Sequence, residues 1–503
     1  MNRLSLPILL LLAGCTVGPD YVAPVPEVPE SFGATPQTET ATPVDGAETS
    51  APEPDGRWWS VLGDPGLDRL VELAVTHNQD LEAARARVRQ SRALRRATAA
   101  RGRPQLGGRA GGDLFQGSSN EPGANAALAE AGLTDLDGER TFYELGASWE
   151  IDVFGGVRRA REAADARLEA SVEGRRGVLL GVIAEVVRNH SEWQGAERRR
   201  ALAEKNLALA EQTLARVEAR HRAGLASGLD AARARAEVAA TAALVPPLRA
   251  ASHAAHQRLA TLTGGALRNE DSPSHLTATP WSELPALVPT GLPSDLLRRR
   301  PDVRSAERRL AAASAEIGVR TADQYPRFFL TGGRGGSSSR FTDLFESASR
   351  TWRLGPRFSW PIYQGGRLEA GVDAARSGYA AVESEYRQTV LRAIEEVEVA
   401  LVRYAERELQ RRALAEAVDA GRRASTLARA LYDQGLSDYL PVLDAERSLT
   451  DLEDRLTASE TGVVTRLVAL YAALGGGWQV FETDRYGADL EVTEHHSVAA
   501  SEE

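Results

Sequence analysis

One long stretch of the chain places apolar residues at alternating intervals of three and four. From Arg367 to about Asp433 the stripe is Leu368, Val372, Ala375, Tyr379, Val382, Tyr386, Val390, Ile394, Val397, Leu401 and Tyr404. That is a heptad pattern with extra fours around Tyr386 and Val390, a stutter that locally relaxes a left-handed supercoil. Another long helical run leads from Gly155-Gly156 to Ala223. At ~1.5 Å per residue each helix spans on the order of 100 Å, a length that calls for coiled-coil or tubular packing.

Each run breaks at a glycine turn and a helix returns. The first turn is HRAGLASGLDAAR, His221 to Arg233, with a return from Leu229 to about Thr263 that Pro246-Pro247 must kink or break. The second is LYDQGLSDYLPVLDAER, Leu431 to Arg447. There Gly435 stops the helix, Ser437 or Asp438 is expected to cap the next, and Pro441 falls in its first turn. That return runs from Leu440 to Leu474 and ends at Gly475-Gly476-Gly477-Trp478.

Period-two alternation marks strands ahead of each long helix. Thr141 to Phe154 sets Tyr143, Leu145, Ala147, Trp149, Ile151 and Val153 against Glu144, Gly146, Ser148, Glu150 and Asp152. Thr351 to Tyr363 sets Trp352, Leu354, Pro356, Phe358, Trp360 and Ile362 against Arg353, Arg357 and Ser359. Weaker strands are expected from Leu106 to Phe115 and from Phe328 to about Gly336. Before the first strand, Asp64-Pro65 caps one helix expected to reach about Arg101, with a stripe of Leu67, Leu70, Leu73, Ala74, Leu81, Ala84 and Val88.

The plan occurs twice, so the fold expected is a mainly α, tandemly duplicated chain with four strands. A first repeat covers 57–290, with a strand pair at 106–154 and a helical hairpin at 157–263. A second covers 291–478, with a strand pair at 328–363 and a hairpin at 367–474. Residues 15–56 are rich in Pro, Glu, Thr and Ala and suit an extended tether. The polar tail is 479–503.

Composition narrows the class. Only 6% of residues are aromatic and the net charge is −10, which leaves no dominant basic face for nucleic acid. The one cysteine, Cys15, excludes a disulfide framework. It follows Arg3 and the apolar run Leu4 to Leu12, the pattern of a signal peptide over 1–14. His253 and His256 lie three apart on one helix without convergent carboxylates or Cys, so no metal site is read there. No Ser/His/Asp grouping or phosphate-cradling loop is recognised, and neither enzyme activity nor a cofactor is expected.

After the signal, no apolar stretch is long enough to span a bilayer as a helix, so only strands can cross. Four strands cannot close alone, since the smallest bacterial barrels have about eight. Two chains would give eight and three would give twelve, and the pattern does not choose. Two soluble hairpins packed on helices are the other reading of the same stripes.

Longer motifs carry a resemblance. RPDVRSAERRLAAASAEIGVRTADQYP at 300–326, GLASGLD at 224–230, GLSDYLPVLDAER at 435–447, LYAALGGGW at 470–478 and WWSVLGDPGLDRL at 58–70 resemble the TolC/OprM-type outer membrane factor family, in its NodT-like lipoprotein branch. LAGC at 12–15 resembles a lipoprotein box, which implies cleavage before Cys15, its lipidation, and, with Thr16 next, an outer-membrane address. The resemblance implies a homotrimer with a twelve-stranded outer-membrane barrel and a helical tunnel reaching into the periplasm. The implied activity is an exit duct for a tripartite efflux system, with a periplasmic adaptor and an inner-membrane pump, expected to be of the RND type, as partners.

In that frame the tube shuts where the hairpin tips converge, which maps to Leu431–Arg447. Leu440 and Asp444 lie one helical turn apart on one face and would form an apolar ring and a carboxylate ring about a three-fold axis. Leu440 as hairpin core, and Asp444 as a first-turn acid favoured by the helix dipole, are the simpler alternatives. Tyr432 and Asp438 are expected to tie neighbouring helices, or else to act locally at the cap. Adaptor docking is assigned by resemblance to Gly224, Ser227, Asp230 and Gly435, although helix capping alone would account for Gly224, Ser227 and Asp230. A periplasmic adaptor and a coiled-coil scaffold lipoprotein without a pore are the competing functions.

Overall fold

The computed structural model describes residues 16–29, 32, 56–116, 137–268 and 293–483. The signal, Cys15, residues 33–55, the loop at 117–136, most of the crossover between the repeats and the tail from 484 lie outside the described residues. The helices are α1 (Pro65–His77), α2 (Gln79–Ala100), α3 (Gly156–Arg222), α4 (Gly228–Ala242), α5 (Val245–Leu262), α6 (Pro293–Arg299), α7 (Pro301–Ala322), α8 (Arg367–Asp433), α9 (Leu440–Ala473) and α10 (Val480–Thr483). The strands are β1 (Gln105–Gln116), β2 (Asp137–Ile151), β3 (Arg327–Ser338) and β4 (Arg350–Ser359). The chain falls into two compact units. One joins Met1–Pro24, Val88–Ala170 and Ala306–Tyr386, and the other Val25–Arg87, Ser171–Ser305 and Arg387–Glu503.

The first unit is built on one antiparallel sheet in the order β1-β2-β3-β4. Within each repeat a strand pairs with its successor, and β2 pairs with β3 across the repeats. The register puts Leu106 opposite Ala147, Trp149 opposite Leu330, and Phe328 opposite Phe358, so most of the apolar residues of the four strands share a face, while Phe115, Phe142 and Phe329 stand on the other. Among the described residues much of that face is exposed, at Leu106, Trp352, Leu354 and Phe358, while the segment after β3 lies over Gly336 and stacks Phe345 on Tyr143 at 5.4 Å. The opposite face carries ion pairs. Arg109 Nε donates to Glu144 at 2.7 Å, Arg327 Nη2 to Glu150 at 2.7 Å and Arg140 Nη2 to Asp113 at 3.3 Å. Glu144 also meets Arg353 of β4, reaching it across Gly333 of β3. A Cβ at Gly333 would stand 2.6 Å from Glu144 Oε1, so a larger residue there would push the carboxylate aside.

The start of the expected tether is held by this unit. Val17 N–H donates to Phe154 O at 3.1 Å, and the buried Arg159 donates to Val17 O, Gly18 O and the Asp20 carboxylate. Tyr21 donates its hydroxyl to Glu307 at 2.5 Å.

The second unit holds the larger apolar core, where Trp58, Trp59, Leu70, Leu179, Ile183, Leu259, Leu467 and Tyr471 are buried together. Here the two tryptophan motifs meet. Trp58 stacks on Tyr471 at 5.0 Å and donates Nε1 to Gly476 O at 3.2 Å. Trp478 donates to Arg299 O at 3.2 Å under the Arg176 guanidinium, 4.6 Å from its ring. The buried Arg300 of the RPDV motif donates to Ala473 O and pairs with Asp302 and Glu396.

Four expected boundaries are corrected. The helix from Pro65 is two helices, because Asn78 leaves helical geometry (ψ 128°), caps α2 through Leu81 N–H at 3.0 Å and donates to Leu262 O at 2.9 Å. β2 stops at Ile151 rather than Phe154, because Asp152 turns away to accept from the Val157 and Arg158 N–H groups at the start of α3. It therefore belongs to a helix cap and not to the charged face. β4 stops at Ser359 rather than Tyr363, since its ladder partner begins at Arg327 and Pro361 has no N–H. The cap expected from Ser437 or Asp438 is not made; α9 starts without a side-chain cap. Pro246 does interrupt the first return helix, at the second residue of α5.

One polar cluster fixes α1 against α3. Asp64 caps α1 by accepting from Gly66 N–H at 2.8 Å, and its other oxygen meets His190 Nε2 and Gln194 Nε2, each at 2.7 Å. Burial disfavours the Asp64 carboxylate, yet the hydrogen bond and attraction of His190 and the two backbone N–H groups outweigh it and hold its pKa below the ordinary value. A depressed folded-state pKa adds stability that is present above the ordinary carboxylate range and is lost as pH falls through it. Asp64→Ala is expected to cost about 2–4 kcal/mol, since it removes a cap and strands two buried partners. Denaturant titration of the helical signal checks this, and the gap between wild type and variant should shrink below about pH 4.

Candidate functional site

Both turns of the helical hairpins close in the same way. Gly224 and Gly435 take left-handed backbone, each with φ +73°, which favours glycine. Gly224 N–H donates to His221 O at 2.9 Å and Leu225 N–H to Arg220 O at 2.8 Å. The second copy repeats this, with Gly435 to Tyr432 O at 3.0 Å and Leu436 to Leu431 O at 2.9 Å. These double bonds satisfy carbonyls at each helix end.

The copies differ in how the next helix begins. Ser227 and Asp230 form a reciprocal capping box: Ser227 Oγ accepts from Asp230 N–H and Asp230 Oδ2 from Ser227 N–H, both at 3.1 Å. In the second copy Ser437 Oγ turns to the Asp438 carbonyl at 3.2 Å. Tyr439 stands at the cap position, and its buried ring takes the place of a polar cap in fixing the start of α9.

The two turns pack on each other. Val217, Ala231, Ala234, Tyr439, Val442 and Leu443 form one buried cluster, with Leu214, Ala428 and Tyr432 against it. The Arg220 guanidinium lies 4.5 Å from the centre of the Tyr432 ring and donates to Tyr432 O at 3.4 Å. Tyr432 and Tyr439 sit 5.7 Å apart. Ion pairs brace the cluster: Arg429 with Glu446 at 2.7 Å, Arg235 with Glu218 at 2.7 Å, and Arg447 with Glu237. Burial pushes the Tyr439 hydroxyl up to about 12, with the nearby Glu446 and Glu237 charges adding to the shift.

Val442 and Leu443 point into this cluster, which leaves Leu440 and Asp444 on the opposite, exposed side of α9. Leu440 is 41% exposed, so it is not hairpin core. Asp444 lies beyond the first turn of α9, which holds no acid. Asp438 is exposed as well. Tyr432 Oη is buried and has no hydrogen-bond partner among the described residues. Gly224, Ser227 and Gly435 are exposed and Asp230 is half-buried, beside the exposed Leu225, Leu229 and Leu436. Arg220, Tyr439 and the Glu237–Arg447 pair did not stand out from the sequence. Only the nearness of Tyr439 to Leu440 hinted at one of them.

The sequence profile of the outer membrane efflux protein family matches residues 70–265 and 292–476. The chain belongs to this family. The two matched blocks fall one in each copy of the repeated plan. The efflux protein is 32% identical over 488 residues to the solvent efflux pump outer membrane protein SrpC of Pseudomonas putida, covering 95% of this chain and 99% of SrpC. It is 30% identical to nodulation protein T of Rhizobium leguminosarum bv. trifolii, over 93% of this chain and 96% of that protein. The solved outer-membrane channel OprN superposes with a TM-score of 0.80 at 35% identity, covering 92% of this chain and all of OprN. Mainly helical with a four-stranded sheet, the efflux protein has the TolC/OprM-type architecture, and it is an outer-membrane channel protein. The adaptor and scaffold readings fall with that assignment.

Arg220→Ala is expected to loosen the packed turns by about 0.5–2 kcal/mol through loss of the cation–π contact. Faster amide exchange confined to the residues around Gly224 and Gly435 would report it.

Proposed function

We propose that three copies of this chain close a twelve-stranded barrel in the outer membrane and form the exit duct of a tripartite efflux system. The observation that carries this is the sheet itself. Its order leaves one edge of β1 and one edge of β4 without a partner among the described residues, while most of its apolar face is exposed. In hydrocarbon every backbone N–H and C=O needs a partner, so such a sheet can span only when copies join edge to edge into a closed ring. Four strands each from three copies give a barrel with an apolar outside and the Arg109–Glu144–Arg353 side facing water. Cys15, lipidated, anchors the chain to the same membrane.

The turns lie at the periplasmic end, and there three Leu440 side chains and three Asp444 carboxylates ring the axis and hold the duct shut. Their shared exposed face, opposite the buried Val442 and Leu443, supports that assignment. The unpartnered Tyr432 hydroxyl and the exposed Asp438 carboxylate reach adjacent helices of a neighbouring copy. A periplasmic adaptor docks on the rim formed by Gly224, Ser227, Asp230 and Gly435, where exposed Leu225, Leu229 and Leu436 supply apolar contact. An inner-membrane pump of the RND type drives cargo into the tube, and the chain itself conducts without catalysing a reaction.

Purified protein should run as a trimer on native gels and hold heat-resistant β-structure in detergent; monomers with purely helical spectra would overturn the reading. In planar bilayers Leu440→Ala combined with Asp444→Ala should raise single-channel conductance, and an unchanged conductance would place the constriction elsewhere. Divalent cations should depress wild-type conductance more than that of Asp444→Ala, because a ring of like carboxylates attracts them.

A further inference from the structure

The two faces of the sheet differ in how far their arginines are paired. On the charged face four of the five strand arginines, Arg109, Arg140, Arg327 and Arg353, have a carboxylate partner, and Arg357 has none among the described residues. On the apolar face the strands carry two cations, Arg334 and Arg350, both exposed. No carboxylate of the described residues pairs with either. Arg334 stands opposite Trp352 in the β3–β4 register, and Arg350 stands opposite Gly336, one step further on the same face. Diagonal same-face positions on paired strands lie roughly 7–8 Å apart, within reach of two long side chains around one anion.

Their level on the sheet is informative. β3 begins after α7, and β4 leads back toward α8, so the connection between Ser338 and Arg350 lies at the end away from the helices. Toward the helical end the apolar face of β4 continues through Leu354, Pro356 and Phe358, followed by the exposed Trp360 and Ile362. Toward the other end it reaches Trp352, level with Arg334, and then Arg350 one step beyond. An apolar band with tryptophan near its edge and cations just beyond is what a membrane boundary selects. The cations of this face lie at one end of it only, which in the channel reading is the external rim.

We propose that Arg334 and Arg350 bind the phosphomonoester headgroup of a phosphorylated glycolipid in the outer leaflet, fastening the barrel wall to its annular lipid. The proposal rests on the channel reading above. A guanidinium presents a planar fork that matches phosphate oxygens, and two forks without carboxylate partners suit a phosphomonoester near −2 better than a phosphodiester at −1. Trp352 between them packs against the sugar or the first acyl carbons.

The test uses full-length protein purified as oligomer in detergent and offered bisphosphorylated lipid A, its doubly dephosphorylated form, or phosphatidylglycerol, with retention read by native mass spectrometry. Wild type should retain bisphosphorylated lipid A about tenfold better than either other lipid. The double variant R334Q/R350Q should lose that preference, and R357Q, on the opposite face, should keep it. Equal retention of the three lipids by wild type, or an undiminished preference in R334Q/R350Q, overturns the proposal. Trimer mass and conductance are read on the same preparations. Protein that conducts as a trimer without preferring phosphate leaves the channel reading standing and refutes this one. Protein that neither trimerises nor conducts refutes both.

Discussion

A backbone amide has nowhere to place its hydrogen bond in hydrocarbon, and the rest of this molecule answers to that constraint. Four strands with one apolar face and two open edges are an unfinished object. In the channel proposed above, ring closure by further copies finishes the sheet without any change in the chain. The polar side is largely paired, with Glu144 shared between Arg109 and Arg353 across Gly333, and in a closed ring it would line a narrow space where charges without partners repel.

The helices solve a different problem. A long amphipathic helix needs a partner along its whole length, and each of the two longest is folded back on a shorter companion at a glycine turn. Because the turns are copies, they could be interchangeable, yet only one buries a tyrosine at the helix start. Tyr439 turns what would be a polar cap into a packed contact, and this pins the first residues of α9 with Leu440 and Asp444 facing outward. A constriction built on such residues inherits its rigidity from the cluster behind it.

Much of this was legible in the sequence. The heptad stripe of Leu368 to Tyr404 marked α8 and the turn at Gly435 marked its end, and alternation in β2 and β4 assigned the faces of the residues it named correctly. What was not legible depended on partners distant in sequence. Asn78 breaks a helix because Leu262 offers it a carbonyl. Asp152 continues the alternation of β2 but serves the amides that follow it. Arg220 looks like any surface arginine until Tyr432 is placed beneath it. Periodicity records which way a residue faces; it does not record what waits there.

The pairing of β2 with β3 has a consequence for how the molecule is made. Each strand's neighbour within its own repeat is close in sequence, but the central seam of the sheet joins residues separated by the whole of α3, α4 and α5. Pairing of such high contact order is slow, because loop closure must precede any reward. A chain emerging from its N-terminus therefore carries a two-stranded ribbon with sticky edges until its second half arrives. During that interval the ribbon is the part most in need of a chaperone, and the glycines along β1, which make it a poor template for flat stacking, guard it meanwhile.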